Sequence, residues 1–186
     1  MIDVKQLARD AEHGDAEAQF KLGSLYYEGE IFAKDIEKGM FWLDKAAAAG
    51  NVNAMINCSI HWLYEDDDDD NNRIGRLWGM AAAASGNSNG QFNYAVRLQN
   101  GDGGLADTRR AIRYYRLSAG QGNADAKCNL GAALIDGDGV RQDVVKGIGL
   151  MNEALDKDNA AALYMGGHCC LIVDSTIKVA EKQLVV

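Results

Sequence analysis

The chain has 186 residues, 47% of them apolar and 25% charged, the balance of a folded protein rather than a disordered one. A formal net charge of −8 repels nucleic-acid phosphate in general and favours a basic partner. No apolar run approaches the roughly 20 residues that span a bilayer, and the start MIDVKQLARDAEHGD lacks the apolar stretch of a signal peptide, so a cytoplasmic setting is expected. Cys58, Cys128, Cys169 and Cys170 show no framework spacing and are expected to remain thiols.

In chain order, residues 1–14 read as a leading cap helix. From there Gly14, Gly50, Gly86 and Gly122 recur every 36 residues, each followed by Asp15, Asn51, Asn87 or Asn123, and the offset continues to Asn159. This divides a single domain into gapless units 15–50, 51–86, 87–122 and 123–158, with 159–186 an incomplete last unit and C-terminal cap. Each unit reads as two helices. In the first unit Ala18, Leu22, Leu25 and Tyr26 fall on one helical face. The leading Asp or Asn is an N-cap. Gly29, Gly101 and Gly137 stand where the first helix should stop. The second helix carries the stripe Gly39, Trp42, Leu43, Ala46 and Ala47, echoed by Gly75, Trp78, Gly79, Ala82 and Ala83 and then by Ala111, Tyr114, Tyr115, Ser118 and Ala119. One hairpin cannot bury such a face but stacked hairpins can. The expected fold is all-α, a right-handed α/α superhelical solenoid of about five 36-residue hairpins with capping helices.

AEAQFKLGSLYYEG, a loop, and then D-x-x-K-G-x-x-W-x-x-K-A-A-A-A-G resemble the Sel-one-like repeat (SLR), a relative of the tetratricopeptide repeat; NADAKCNLGAALIDGDGVRQDVVKG matches it too. The proline common in the family's loop is missing here. Unit two departs most: Cys58 and Ser59 replace the Leu-Gly pair, and both loop glycines are gone. The resemblance implies a non-enzymatic protein–protein interaction module, an adaptor or regulator. Its alternative is a bacterial immunity protein that neutralises a toxin by binding it.

The run YEDDDDDNN, residues 64–72, fills the interhelical loop slot of unit two. Asp66, Asp68 and Asp70 mimic the first three ligands of a calcium loop, but Asn71 and Leu77 stand where that loop needs glycine and a bidentate glutamate. A solvated loop is the expected reading, with Asp69 to Asn72 complementing the next helix N-terminus and the acids forming a rim for a basic partner. Arg109, Arg110, Arg113 and Arg116 form a basic stripe expected to pair with neighbouring acids rather than bind phosphate. His168, Cys169 and Cys170 diverge on a helix, so no metal site or catalytic pair is expected, and His13 and His61 stand alone. No cofactor is expected, nor any nucleic acid or membrane as partner.

In tetratricopeptide-like solenoids the first helix of each hairpin lines the concave face. Carried over by resemblance, that surface would comprise Glu17, Phe20, Ser24, Tyr27 and Glu28, then Asn53, Ile56, Ile60, Leu63 and Tyr64. Unit three would add Asn89, Phe92, Val96, Gln99 and Asn100. Asp125, Cys128, Ala132, Ile135 and Asp136 would follow, and finally Ala161, Tyr164, His168, Leu171 and Ile172. The expected guest is a protein or peptide, basic or a toxin.

Overall fold

The computed structural model describes residues 3–64 and 69–155. Within them the chain is helical and forms no strand. A leading helix α1 (Val4–Glu12) is followed by four pairs: α2 (Ala16–Glu28) with α3 (Ile36–Ala48), α4 (Val52–Tyr64) with α5 (Asp69–Ala84), α6 (Ser88–Asn100) with α7 (Thr108–Gly120), and α8 (Ala124–Asp136) with α9 (Val144–Leu155). Each helix packs mainly on the one before it and the one after it, so the core is a row of local interfaces rather than one centre. The expected segment 159–186, with Ala161, Tyr164, His168, Cys169, Cys170, Leu171 and Ile172, lies outside the described residues.

The same backbone chemistry opens every first helix. The side chains of Asp15, Asn51, Asn87 and Asn123 accept from the amides of Ala18, Ala54, Gly90 and Ala126 at 2.6–3.0 Å, caps that stabilise by about 1 kcal/mol each. First helices end at Gly29, Gly101 and Gly137, whose φ of 77–83° is the left-handed region that favours glycine. The loop then closes back on the helix end: the amides of Asp35, Asp107 and Asp143 donate to the carbonyls of Tyr26, Leu98 and Leu134 at 2.7–2.9 Å. Those aspartates cap the second helices in turn, accepting from the amides of Lys38, Arg110 and Lys146.

The predicted stripe is largely buried. Leu43, Ala46, Ala47, Ala82, Ala83, Ala111, Tyr115, Ser118 and Ala119 are inside, whereas Trp42, Trp78 and Tyr114 lie half-buried at its edge. A side chain the size of Leu43, fully buried, contributes about 2 kcal/mol.

Unit two departs from its neighbours as its sequence does. Helix α5 begins at Asp69, three residues earlier than the spacing of α3 and α7 places a second helix. Its first turn carries Asp70, which pairs with Arg73 at 2.9 Å, and negative charge there suits the helix dipole. Deeper in, Gly79 occupies the slot that Leu43, Tyr115 and Met151 fill in the other units. The space is taken from the next hairpin. Arg97 of α6, only 3% exposed, lays its stem against Gly79 and donates from Nε to Ser59 Oγ at 2.9 Å. Ser59 Oγ in turn donates to the Gly75 carbonyl at 2.8 Å.

Candidate partner-binding site

The outer positions of α2, α4, α6 and α8 can now be placed. Tyr27, Glu28, Leu43, Asn57, Ile60 and His61 line a cavity of about 200 Å³ between α2 and α4. Tyr27 is half-buried, and Ile60 stands at the rim with 41% of its surface exposed. Tyr27 Oη shares a 3.3 Å hydrogen bond with His61 Nδ1, and the two rings meet edge to face at 5.7 Å. His61 is therefore not isolated. It is 8% exposed and fixes the tyrosine that walls the cavity.

Other predicted residues serve the fold as well. Glu17 accepts from Asn51 Nδ2 at 3.1 Å, and Asn89 accepts from Asn123 Nδ2 at 3.0 Å. Both bonds span 34 residues, the same separation as Tyr27 and His61. Side chains 34 apart thus meet across neighbouring first helices, and that offset is the signal that would have paired His61 with Tyr27 from sequence. Gln99 accepts from Tyr115 Oη at 2.8 Å while remaining exposed.

Phe20, Ser24, Ile56, Leu63, Phe92, Val96 and Ala132 are half-buried, with Phe20, Phe92, Val96 and Ala132 packed against the core. Asn53, Asn100 and Asp136 are exposed and Asp125 partly so. Two predicted surface residues are interior. Ile135 packs on Met151 and against Gly147 inside the α8–α9 hairpin, because the two glycines Gly131 and Gly147 let these helices approach closely. Cys128 is buried too. Tyr64 ends α4; its side chain is outside what the structure describes.

The polarity of this surface is uneven. Helix α4, VNAMINCSIHWLY, carries no Asp, Glu, Lys or Arg, and the only such residue of α6 is the buried Arg97. Carboxylates stand at the two ends: Glu28 on α2, Asp125 and Asp136 on α8. None of these three forms an ion pair among the described residues. The cysteine at the core of unit two is inert. Burial, then the nearby Asp44 carboxylate, pushes the Cys58 thiol well above its ordinary range, so it stays protonated. Among the described residues no group of His, Cys, Asp and Glu is placed to hold a metal ion, and no helix is long and apolar enough to cross a membrane.

A family model, the Sel1 repeat, matches residues 16–51, 88–123 and 124–159, more than half of the chain. The chain belongs to the Sel1 repeat family. The stretch from 52 to 87 falls between the matches, and it is the stretch where Ser59, Gly79 and the early start of α5 break the pattern. Sel1 repeats typically mediate protein–protein interaction and are generally non-catalytic scaffolds. Among solved structures, the chain is 28% identical to a protective antigen of uropathogenic Escherichia coli displaying an SLR fold, with a TM-score of 0.80, covering 86% of this chain and 34% of that one. The chain thus spans about a third of that relative's length. It is 25% identical to a Sel1 repeat protein of Oxalobacter formigenes, with a TM-score of 0.76, covering 96% of this chain and 78% of that one. These likenesses establish the all-helical α/α solenoid. No curated protein sequence matches the chain.

Proposed function

We propose that this Sel1 repeat protein holds a protein or peptide segment along the outer positions of α2, α4, α6 and α8, without catalysis, as an adaptor or regulator. The observation that carries the reading is Ile60, exposed at the lip of the Tyr27–His61 cavity, on a helix with no formal charge. An apolar side chain beside a small cavity walled largely by uncharged residues is a natural anchor point for a guest. Glu28 at one end and Asp125 and Asp136 at the other favour a guest with an apolar middle and basic flanks. The proposed setting is the cytoplasm, in keeping with cysteines that show no framework spacing.

The test is affinity capture from source cytosol, identification by mass spectrometry, and calorimetry with the purified guest. Ile60→Asp combined with Tyr27→Ala is expected to weaken binding at least about tenfold. Binding by the unaltered protein should also weaken with salt. Unchanged affinity in a double variant with wild-type circular dichroism would move the interface elsewhere. If the guest is an enzyme or toxin that loses activity when bound, the protein is acting as an inhibitor or immunity protein through the same surface.

A further inference from the structure

The second helices carry a different feature. A cleft of about 420 Å³ opens between α7, α8 and α9, with Ala119, Leu130, Leu134 and Leu150 as its apolar lining and three cations, Arg116, Lys127 and Lys146, with one carboxylate, Glu153, around it. Its origin lies in the repeat register. Leu130 and Leu150 stand 36 residues after Tyr94 and Tyr114. In the preceding hairpin those two tyrosines meet edge to face at 5.0 Å and fill the equivalent space. Trp42 and Trp78 hold the Tyr114 slot in the earlier units, so Leu150 is the departure. Replacing two rings by two leucines leaves room that close-packed interiors do not ordinarily leave empty.

The charge around the cleft follows from the same change. Arg110, the counterpart of Lys146, is engaged by Tyr94 Oη at 3.2 Å and by Asp107 at 3.9 Å. Lys146 faces Leu130 instead of a phenol and makes no ion pair among the described residues. Lys127 is matched by Glu153 at 2.9 Å. Arg116 continues a stripe with Arg113 and Arg109 along one side of α7. All three are exposed, and none has an acidic partner among the described residues. Among the described residues the expected pairing of the stripe is seen at Arg110 alone.

We propose that this cleft is a second docking site, for an acidic peptide segment that inserts one aromatic side chain where the repeat has lost its own. The leucine lining would receive the ring, and Arg109, Arg113, Arg116 and Lys146 would meet the flanking carboxylates. Charge complementarity selects an acidic guest even on a protein that is acidic overall, because these cations are clustered and have no acidic partner among the described residues. The lining of leucines separates such a guest from a bare polyanion, which has nothing to place there. With the neutral, acid-ended surface of the first helices, the molecule would present two faces to guests of opposite charge.

The test uses the full chain and a labelled synthetic peptide of Glu and Asp residues around a single Trp, followed by fluorescence anisotropy. The unaltered protein should bind it, and the peptide with Trp→Ala should bind about tenfold more weakly or worse. Leu150→Tyr, which restores the ring of the other units, should cost at least as much while leaving the melting temperature unchanged or raised. Arg113→Glu with Arg116→Glu, both exposed and therefore harmless to folding, should also abolish binding. Ile60→Asp with Tyr27→Ala should leave it intact, which separates this site from the first-helix surface. The proposal is overturned if the unaltered chain fails to bind, as it would if its own C-terminal residues filled the cleft. It is equally overturned if Leu150→Tyr binds as well as the unaltered chain, or if a single-stranded oligonucleotide of matched charge competes as well as unlabelled peptide.

Discussion

Gly90→Ala puts the packing between units to a sharp test. Gly90 stands in a slot that holds alanine at Ala18, Ala54 and Ala126. On repeat consensus and helix propensity alone, the substitution should stabilise by up to about 1 kcal/mol. The geometry reverses that sign. A Cβ at Gly90 would lie 2.7 Å from both the carbonyl carbon and oxygen of Ala82 and 3.0 Å from its Cβ, whereas ordinary contact begins near 3.4 Å. The obstructing atoms are mostly the backbone of α5, which has no rotamer to change, so the cost lies near the top of the overpacking range, about 3 kcal/mol. The net loss is then about 2 kcal/mol, a fall in melting temperature of roughly 4–8 °C for a chain of this size. Because a repeat array is joined only through neighbouring interfaces, the loss falls on the α5–α6 junction and the urea transition should broaden. Gly149→Ala is the matched control: it sits in α9 with nothing near its added Cβ among the described residues, and should gain about 0.5–1 kcal/mol. Urea and thermal melts followed by circular dichroism read both. If Gly90→Ala melted as high as Gly149→Ala, the close approach of α5 to α6 could not be what sets the spacing of these units.

Ser59→Ala should destabilise by about 1–3 kcal/mol in the same melts, because it leaves the buried Arg97 Nε–H and the Gly75 carbonyl without their hydroxyl. Asn123→Ala should cost about 1 kcal/mol through the lost cap. Asn123→Asp should restore the cap but not the donor to Asn89, so its deficit against the unaltered chain reads the bridge between units, and its gain over Asn123→Ala reads the cap. At Asp35, hydrogen bonds from the Lys38 ammonium and then the Lys38 amide hold the carboxyl below its ordinary value of 3.8. A depressed carboxyl stabilises the fold above its unfolded pKa and ceases to do so as pH falls through the folded one. The gap in urea midpoint between the unaltered chain and Asp35→Asn should therefore be present at neutral pH and close as the pH is lowered below about 3.8. A gap that persisted in acid would mean that the charge is not what Asp35 contributes.

The helix starts were legible because the chain writes them as chemistry: an Asp or Asn cap and a left-handed glycine at each recurrence. The buried stripe was legible because small residues and rings recur at helical spacing. Arg97 was not. It shares a buried slot with Leu25, His61 and Ala133, and only the missing side chain at Gly79, in a different unit, explains how a guanidinium fits there. Ile135 was placed on the surface because a pattern transferred by position does not register that Gly131 and Gly147 draw α8 and α9 together. His61 was read as solitary because its partner lies one hairpin earlier, beyond any local window. In each case the missing information was a contact between units, while the pattern within a unit was visible.

The bridges from Asn51 to Glu17 and from Asn123 to Asn89 give the stack a direction. In each, the residue that opens a hairpin leans on a side chain supplied by the hairpin before it, and nothing in the bond asks for the hairpin that follows. Growth from the ribosome delivers the supporting member first. A molecule shortened from its C-terminal side keeps every surviving foothold, whereas one shortened from its N-terminal side loses the step on which the next hairpin stands.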